Sequence, residues 1–230
     1  MPPDLFQSFL ENVATKYGAK IRYKDQSWLM KAIAKLLFFN KSFMIDYTTT
    51  IGSTVYFPSE RWIKSSSSTK VLAHELVHIR DRKKIPFLFE CIYLFPQTLA
   101  IFSFFAILSV NNEWWLVCLF FVLFLTPLPA YGRAVYESRA YAMNMFFMRV
   151  MSEGDYNPLI DLDRYVDQFV GSGYFYMSRS RDCAKKMLWN AYLELPKYDP
   201  LFMEVADWYE KFKQDEKSNE IEKLKATPWL

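Results

Sequence analysis

The sequence predicts a mainly α chain with a small β-hairpin, an α+β fold whose helical parts are joined through a two-helix transmembrane hairpin. Three observations predict it. Apolar residues recur at helical spacing on both sides of the middle of the chain. Two long apolar stretches, 87–110 and 114–130, lie between those parts. One segment, 43–57, is rich in β-branched and aromatic residues around a single glycine. The expected divisions are a soluble part over 1–84, the membrane hairpin over 85–131, and a second helical part over 132–230.

Amphipathic helices are expected over 4–17 and 28–39. Phe6, Phe9, Leu10 and Val13 recur at helical spacing in the first, and Trp28, Leu29, Ile33, Leu36 and Leu37 in the second. Packing on a core is the expected use of these faces; Lys31, Lys35 and Lys41 leave a membrane surface as the alternative. Residues 43–50 and 54–57 read as two strands about the turn Ile51-Gly52-Ser53, stopped by Pro58. The serine run 65–68 reads as a connector, with Ser68 or Thr69 capping the helix that follows. Beyond 150, helices are expected over 159–170, 180–194 and 200–213, followed by a charged tail. They are separated by Asp155-Tyr156-Asn157-Pro158 and Gly171-Ser172-Gly173.

Stretch 87–110 carries one charge, Glu90, and stretch 114–130 carries none. As α-helices they would measure about 36 and 25 Å, against roughly 30 Å of bilayer hydrocarbon. Trp114, Trp115 and Tyr131 stand at segment ends, where interfacial aromatic residues belong. Arg80, Arg82, Lys83 and Lys84 precede the pair, Arg133 and Arg139 follow it, and the link Asn111-Asn112-Glu113 has no Lys or Arg. The positive-inside rule then puts both flanks, with both termini, in the cytoplasm. The opening Met-Pro-Pro-Asp lacks the layout of a signal peptide, in line with an N-terminal part that stays where it is made.

The totals exclude several classes. A chain 52% hydrophobic and 19% aromatic is not a disordered linker. A net charge of +3 without a basic stripe excludes nucleic acid as a partner. Cys91, Cys118 and Cys183 form neither a disulfide framework nor a cysteine-type metal site.

Chemistry concentrates in His74-Glu75-Leu76-Val77-His78, which holds both histidines of the chain. Histidines four apart on a helix share one face, so two imidazoles can grip a single zinc ion with Glu75 beside them as the base. Such polar groups on a largely apolar helix would be costly to bury without a partner. A third ligand must come from elsewhere. Positions 81 and 84, where an extended motif would carry Gly and His, hold Asp and Lys. Asp81 lies about 7.5 Å further along the helix axis than the expected ion. Glu137 fits better. It lies on a helical stretch just after the second apolar segment, and two crossings return the chain to the side of His74 and His78.

The order HELVH, apolar hairpin, then Arg133-x-x-x-Glu137-x-x-Ala140 resembles the gluzincin metallopeptidases, in particular membrane enzymes of the HtpX and CAAX-prenyl-protease type. The resemblance spans roughly 43–145. It departs at Tyr141, where that family usually has aspartate, in lacking a membrane span before the motif, and in its C-terminal helices. It implies gluzincin-like catalytic helices, one zinc ion on His74, His78 and Glu137, and Glu75 as general base in peptide-bond hydrolysis. The expected substrate is a polypeptide, paired along strand 53–57 as an edge, with Tyr141 as a possible transition-state donor. The alternative is a membrane-anchored zinc-binding interaction or assembly protein without protease activity; zinc binding alone does not need Glu75.

Overall fold

In the computed structural model, residues 3–36, 41–63, 66–126, 128–152, 155–171 and 176–226 are described. Helix α1 (Pro3–Lys16) ends at Gly18, whose φ of 66° is one that a side chain disfavours, and the chain turns into strand β1 (Lys20–Tyr23). Helix α2 (Trp28–Leu36) follows; the expected residues 37–39 lie outside those described. A 3-10 turn, Lys41–Met44, leads to β2 (Thr49–Ile51) and β3 (Thr54–Phe57). Leu10 and Val13 are buried and Phe9 stacks on Trp208 at 4.6 Å, so the apolar face of α1 packs on the core.

The sheet corrects two expectations. Its order is β1-β3-β2, with β1 parallel and β2 antiparallel to β3. Strand β3 is therefore central, so 53–57 is not an edge; the edge strands among the described residues are β1 and β2. The four residues of β1 between two turns are too few to show a period. The first hairpin strand is also shorter than 43–50. Phe43 is instead buried against Met30 and Tyr56, which fixes the chain as a 3-10 turn there.

After α3 (Glu60–Ile63) comes α4 (Ser66–Lys84), which carries the histidines. Ser66–Ser68 form its first turn instead of a connector, and Ser65 lies outside the described residues. Helix α5 (Leu88–Leu94) is short, because Pro96 cannot donate a helical hydrogen bond and keeps Phe95 extended. The chain then bends by 97° into a 3-10 helix, Gln97–Val110. A second 3-10 helix, Glu113–Leu125, packs back along it, with Asn112 capping its start by accepting from the Trp114 N–H at 3.0 Å. The apolar hairpin is thus present as two packed helices, but stretch 87–110 is broken and the second helix stops before residue 130. No single helix is long and apolar enough to cross a membrane; the bent pair Leu88–Leu94 and Gln97–Leu108 meets that test of length and composition together.

Helices α6 (Tyr131–Met151), α7 (Pro158–Val170), α8 (Arg181–Tyr198) and α9 (Pro200–Ala226) complete the chain. Helix α9 runs well into the charged tail expected to follow 213. The core lies where α4 packs on α6 and α6 on α8. Leu72, Leu76 and Val77 of α4 are buried with Ala134, Ala140 and Ala142 of α6, whose small side chains let the two backbones come close. At Gly132 the start of α6 runs so near α5 that a Cβ would lie 2.4 Å from the Ile92 carbonyl oxygen.

Charge fixes the same helices. Arg80 of α4 donates to Asp81 at 2.8 Å and to Asp199 at the α8–α9 junction. Arg139 of α6 donates to Asp81 at 2.7 Å and to Asp199 at 3.3 Å. Both carboxylates and Arg80 are buried. Asp199 also caps α9, accepting from the Leu201 N–H at 3.1 Å.

Lys24 is fully buried and donates to the Phe43 carbonyl at 2.6 Å, with its ammonium 3.9 Å from the centre of the Phe43 ring. Desolvation lowers its pKa to about 8, against the attraction of Glu75. That value lies below the ordinary 10.5, so between about pH 8 and 10.5 the unfolded chain binds more protons. Stability should therefore rise with pH across that window, and below it the cost is complete and constant. Melting temperatures from pH 7 to pH 10.5 should show this slope in wild type and lose it in Lys24→Met; equal slopes would refute it.

Candidate metal centre

His74 and His78 stand one turn apart on α4, and the packing of α6 against that face brings up Glu137. The two Nε2 atoms are 3.3 Å apart. Glu137 Oε2 lies 3.4 Å from His74 Nε2, and Oε1 lies 3.5 Å from His78 Nε2. Zinc bonds of about 2.0–2.1 Å at tetrahedral angles require donors about 3.3–3.4 Å apart. The two nitrogens and the His74–Oε2 pair meet that length, and the second carboxylate oxygen lies just beyond it from His78, so the donor set fits a zinc ion.

Burial alone would push the Glu137 carboxyl up. The facing His78 and His74 outweigh it and hold the group well below the usual carboxylate range. Burial likewise lowers His78, yet Glu137 and, more weakly, Glu75 and Asp81 leave it raised.

The surroundings orient these donors. The His74 Nδ1 atom meets the Asn144 amide at 3.3 Å. If His74 presents the Nε2 lone pair to a metal, Nδ1 carries the proton and needs an acceptor. The Asn144 Oδ1 atom is buried and lacks a partner among the described residues. Turning the amide over lets that oxygen accept from His74 and from the neighbouring Tyr165 hydroxyl, which satisfies both. On α6 this places Asn144 two turns beyond Glu137. The signal legible in the sequence was only that seven-residue spacing.

Glu75 points to a cleft of about 780 Å³, and its Oε2 accepts from the Thr50 hydroxyl at 2.7 Å. Edge strand β2 lines one side of this cleft, and Phe89, Tyr93 and Arg133 line another. The Tyr93 hydroxyl donates to Glu137 Oε1, and its ring meets His78 edge-on. Tyr141, the transition-state donor suggested by the sequence, is elsewhere. It is buried with its ring edge-on to His74, packed on Tyr165 and Phe169, and does not line the cleft. Along α6 the stripe of Arg133 and Glu137 faces the cleft, and one turn further it passes beneath His74. Tyr93 escaped notice because it lies within an apolar run that reads as membrane span.

Asp81, the other carboxylate near the motif, is committed to Arg80 and Arg139, and Glu90, which also lines the cleft, binds Arg82. Purified protein should hold one zinc ion per chain by atomic absorption. His74→Ala, His78→Ala and Glu137→Ala should each abolish it, and Asn144→Ala should weaken binding by about 10- to 100-fold. Full zinc content in Glu137→Ala would remove that residue from the site. No family model, no curated protein and no solved structure matches this chain, so its chemistry is read from its own geometry.

Proposed function

We propose that this chain is a membrane-embedded zinc metallopeptidase that hydrolyses polypeptides. One observation carries the proposal: donor atoms of His74, His78 and Glu137 lie within 4.8 Å of one another, with Glu75 beside them in an open cleft. The resemblance to gluzincin enzymes of the HtpX and CAAX-prenyl-protease type supports the same assignment. When bound, zinc would supply Lewis-acid polarisation of the scissile carbonyl and a lowered pKa for the attacking water.

His74, His78 and Glu137 hold the ion, and three protein ligands are the number that a catalytic rather than structural zinc site uses. Glu75 takes a proton from the water as its oxygen bonds to the scissile carbonyl carbon. It then delivers that proton to the amide nitrogen as the C–N bond of the tetrahedral adduct breaks, leaving a carboxylic acid and a free amine. An extended substrate pairs its main chain with the open edge of β2. The Tyr93 hydroxyl, on the cleft wall, donates to Glu137 Oε1 and so orients the third ligand. Glu75→Gln should retain zinc and lose at least about 100-fold in cleavage rate. Undiminished cleavage would sink the mechanism, whereas zinc binding without cleavage in wild type would favour an interaction or assembly protein.

The membrane assignment is supported by the surface of the apolar hairpin. Ile101, Phe104, Ile107, Val110, Trp114, Val117 and Phe120 are all more than half exposed on it. So much contiguous apolar surface suits lipid. The bent pair Leu88–Leu94 and Gln97–Leu108 together has the length and composition of a crossing. With both flanks cytoplasmic, cysteines at Asn111 or Asn112 should react with an impermeant thiol reagent on intact cells, and cysteines at Ser66 or Ser152 should not. Equal labelling at all four would remove the hairpin topology.

A further inference from the structure

The general base is not left to itself. Glu75 has three rotatable bonds before its carboxylate, and one oxygen of that carboxylate is pinned by Thr50 at 2.7 Å. Thr50 belongs to β2, the edge strand that lines the cleft. Strands β2 and β3 are joined by the two-residue turn Gly52-Ser53, with Ile51 opposite Thr54 and Thr50 opposite Val55. The φ of 63° at Gly52 belongs to the type II′ turn that joins strands so closely. In such a hairpin the residues flanking the turn form a hydrogen-bonded pair, and the next pair points its N–H and C=O groups outward. Thr50 therefore directs its main chain to the open edge and its side chain to the base.

We infer that Thr50 is a positioning residue that ties the docking edge for substrate to the general base Glu75. This inference rests on the metallopeptidase proposal. The hydroxyl donates to Oε2 and leaves Oε1 to receive the proton of the attacking water. It suits both states of the base, because Oε2 still accepts as the carbonyl oxygen once Oε1 carries the proton. Threonine is suited to this duty: its branched Cβ favours the strand and restricts χ1, so the hydroxyl keeps its aim. Buried Lys24 attracts the same carboxylate from beneath and anchors Phe43 on the cleft wall. A substrate strand that pairs with the Thr50 main chain is thus registered against the base by one residue. The gain is in orientation, where small displacements cost large factors in rate.

The test compares wild type, Thr50→Val, Thr50→Ser and Glu75→Gln as full-length protein in detergent, each with its zinc content measured. The substrate is casein, an unfolded chain. Thr50→Val is isosteric but cannot donate. It should keep its zinc and lose about 10- to 100-fold in kcat with KM within about twofold, because the contact serves orientation in the transition state. Thr50→Ser should restore most of the rate. Melting temperatures supply a second measurement. Thr50→Val should lower Tm by about 2–4 °C in wild type and by much less in the Glu75→Ala background, where the acceptor is gone. An unchanged kcat, a rise in KM alone, no rescue by serine, or equal Tm losses in the two backgrounds would each overturn the role of Thr50 while leaving the peptidase intact. Zinc-loaded wild type that cleaves nothing would overturn the peptidase proposal and this inference together.

Discussion

Four charged groups, Arg80, Asp81, Arg139 and Asp199, are the contact on which the rest of the structure depends. Taking such groups out of water costs several kcal/mol apiece, and only close pairing offsets it. Here each carboxylate meets both guanidinium groups, and the quartet is neutral as a whole. Apolar packing between α4 and α6 would tolerate sliding by a turn. A buried quartet does not, because any shift strands a charge in the interior. It therefore sets the register of the two helices that carry His74, His78 and Glu137. It also explains why Asp81, so near the motif, is no ligand: its oxygens are committed to arginines.

The centre itself follows from that register. Once α4 and α6 are fixed, His74, His78 and Glu137 approach one another to 3.3 to 3.5 Å. The close approach at Gly132 performs the matching task for α5, drawing Tyr93 against Glu137. The cleft is therefore framed by three elements of different kinds: a helix pair set by charge, a short helix set by the absence of a side chain, and a sheet edge set by a tight turn.

Much of this was legible in the chain. The helix with both histidines, the third donor on a helix beyond the apolar segments, and most helices after 150 could be read from periodicity and spacing. What escaped had physical reasons. Strand β1 gains its conformation from pairing with β3, not from its own pattern. Pro96 was visible, but an apolar run on both sides of it masked the break. Tyr93 and Thr50 act through contacts with residues 44 and 25 positions away in sequence. Asn144 meets His74 from 70 residues away in sequence, and no pattern in one sequence announces such a contact.

The quartet also imposes an order in time. Asp199 lies 60 residues beyond Arg139 in the chain. At roughly 5–20 residues per second of synthesis, about 3–12 s separate the appearance of the two. Through that interval the histidine helix and the glutamate helix exist without the carboxylate that completes their lock. A newborn copy, still attached to the ribosome and with its apolar hairpin already made, carries the parts of its centre before their register is secured. The register of the two donor helices is thus secured only after Asp199 has been made and α8 has brought it back to them.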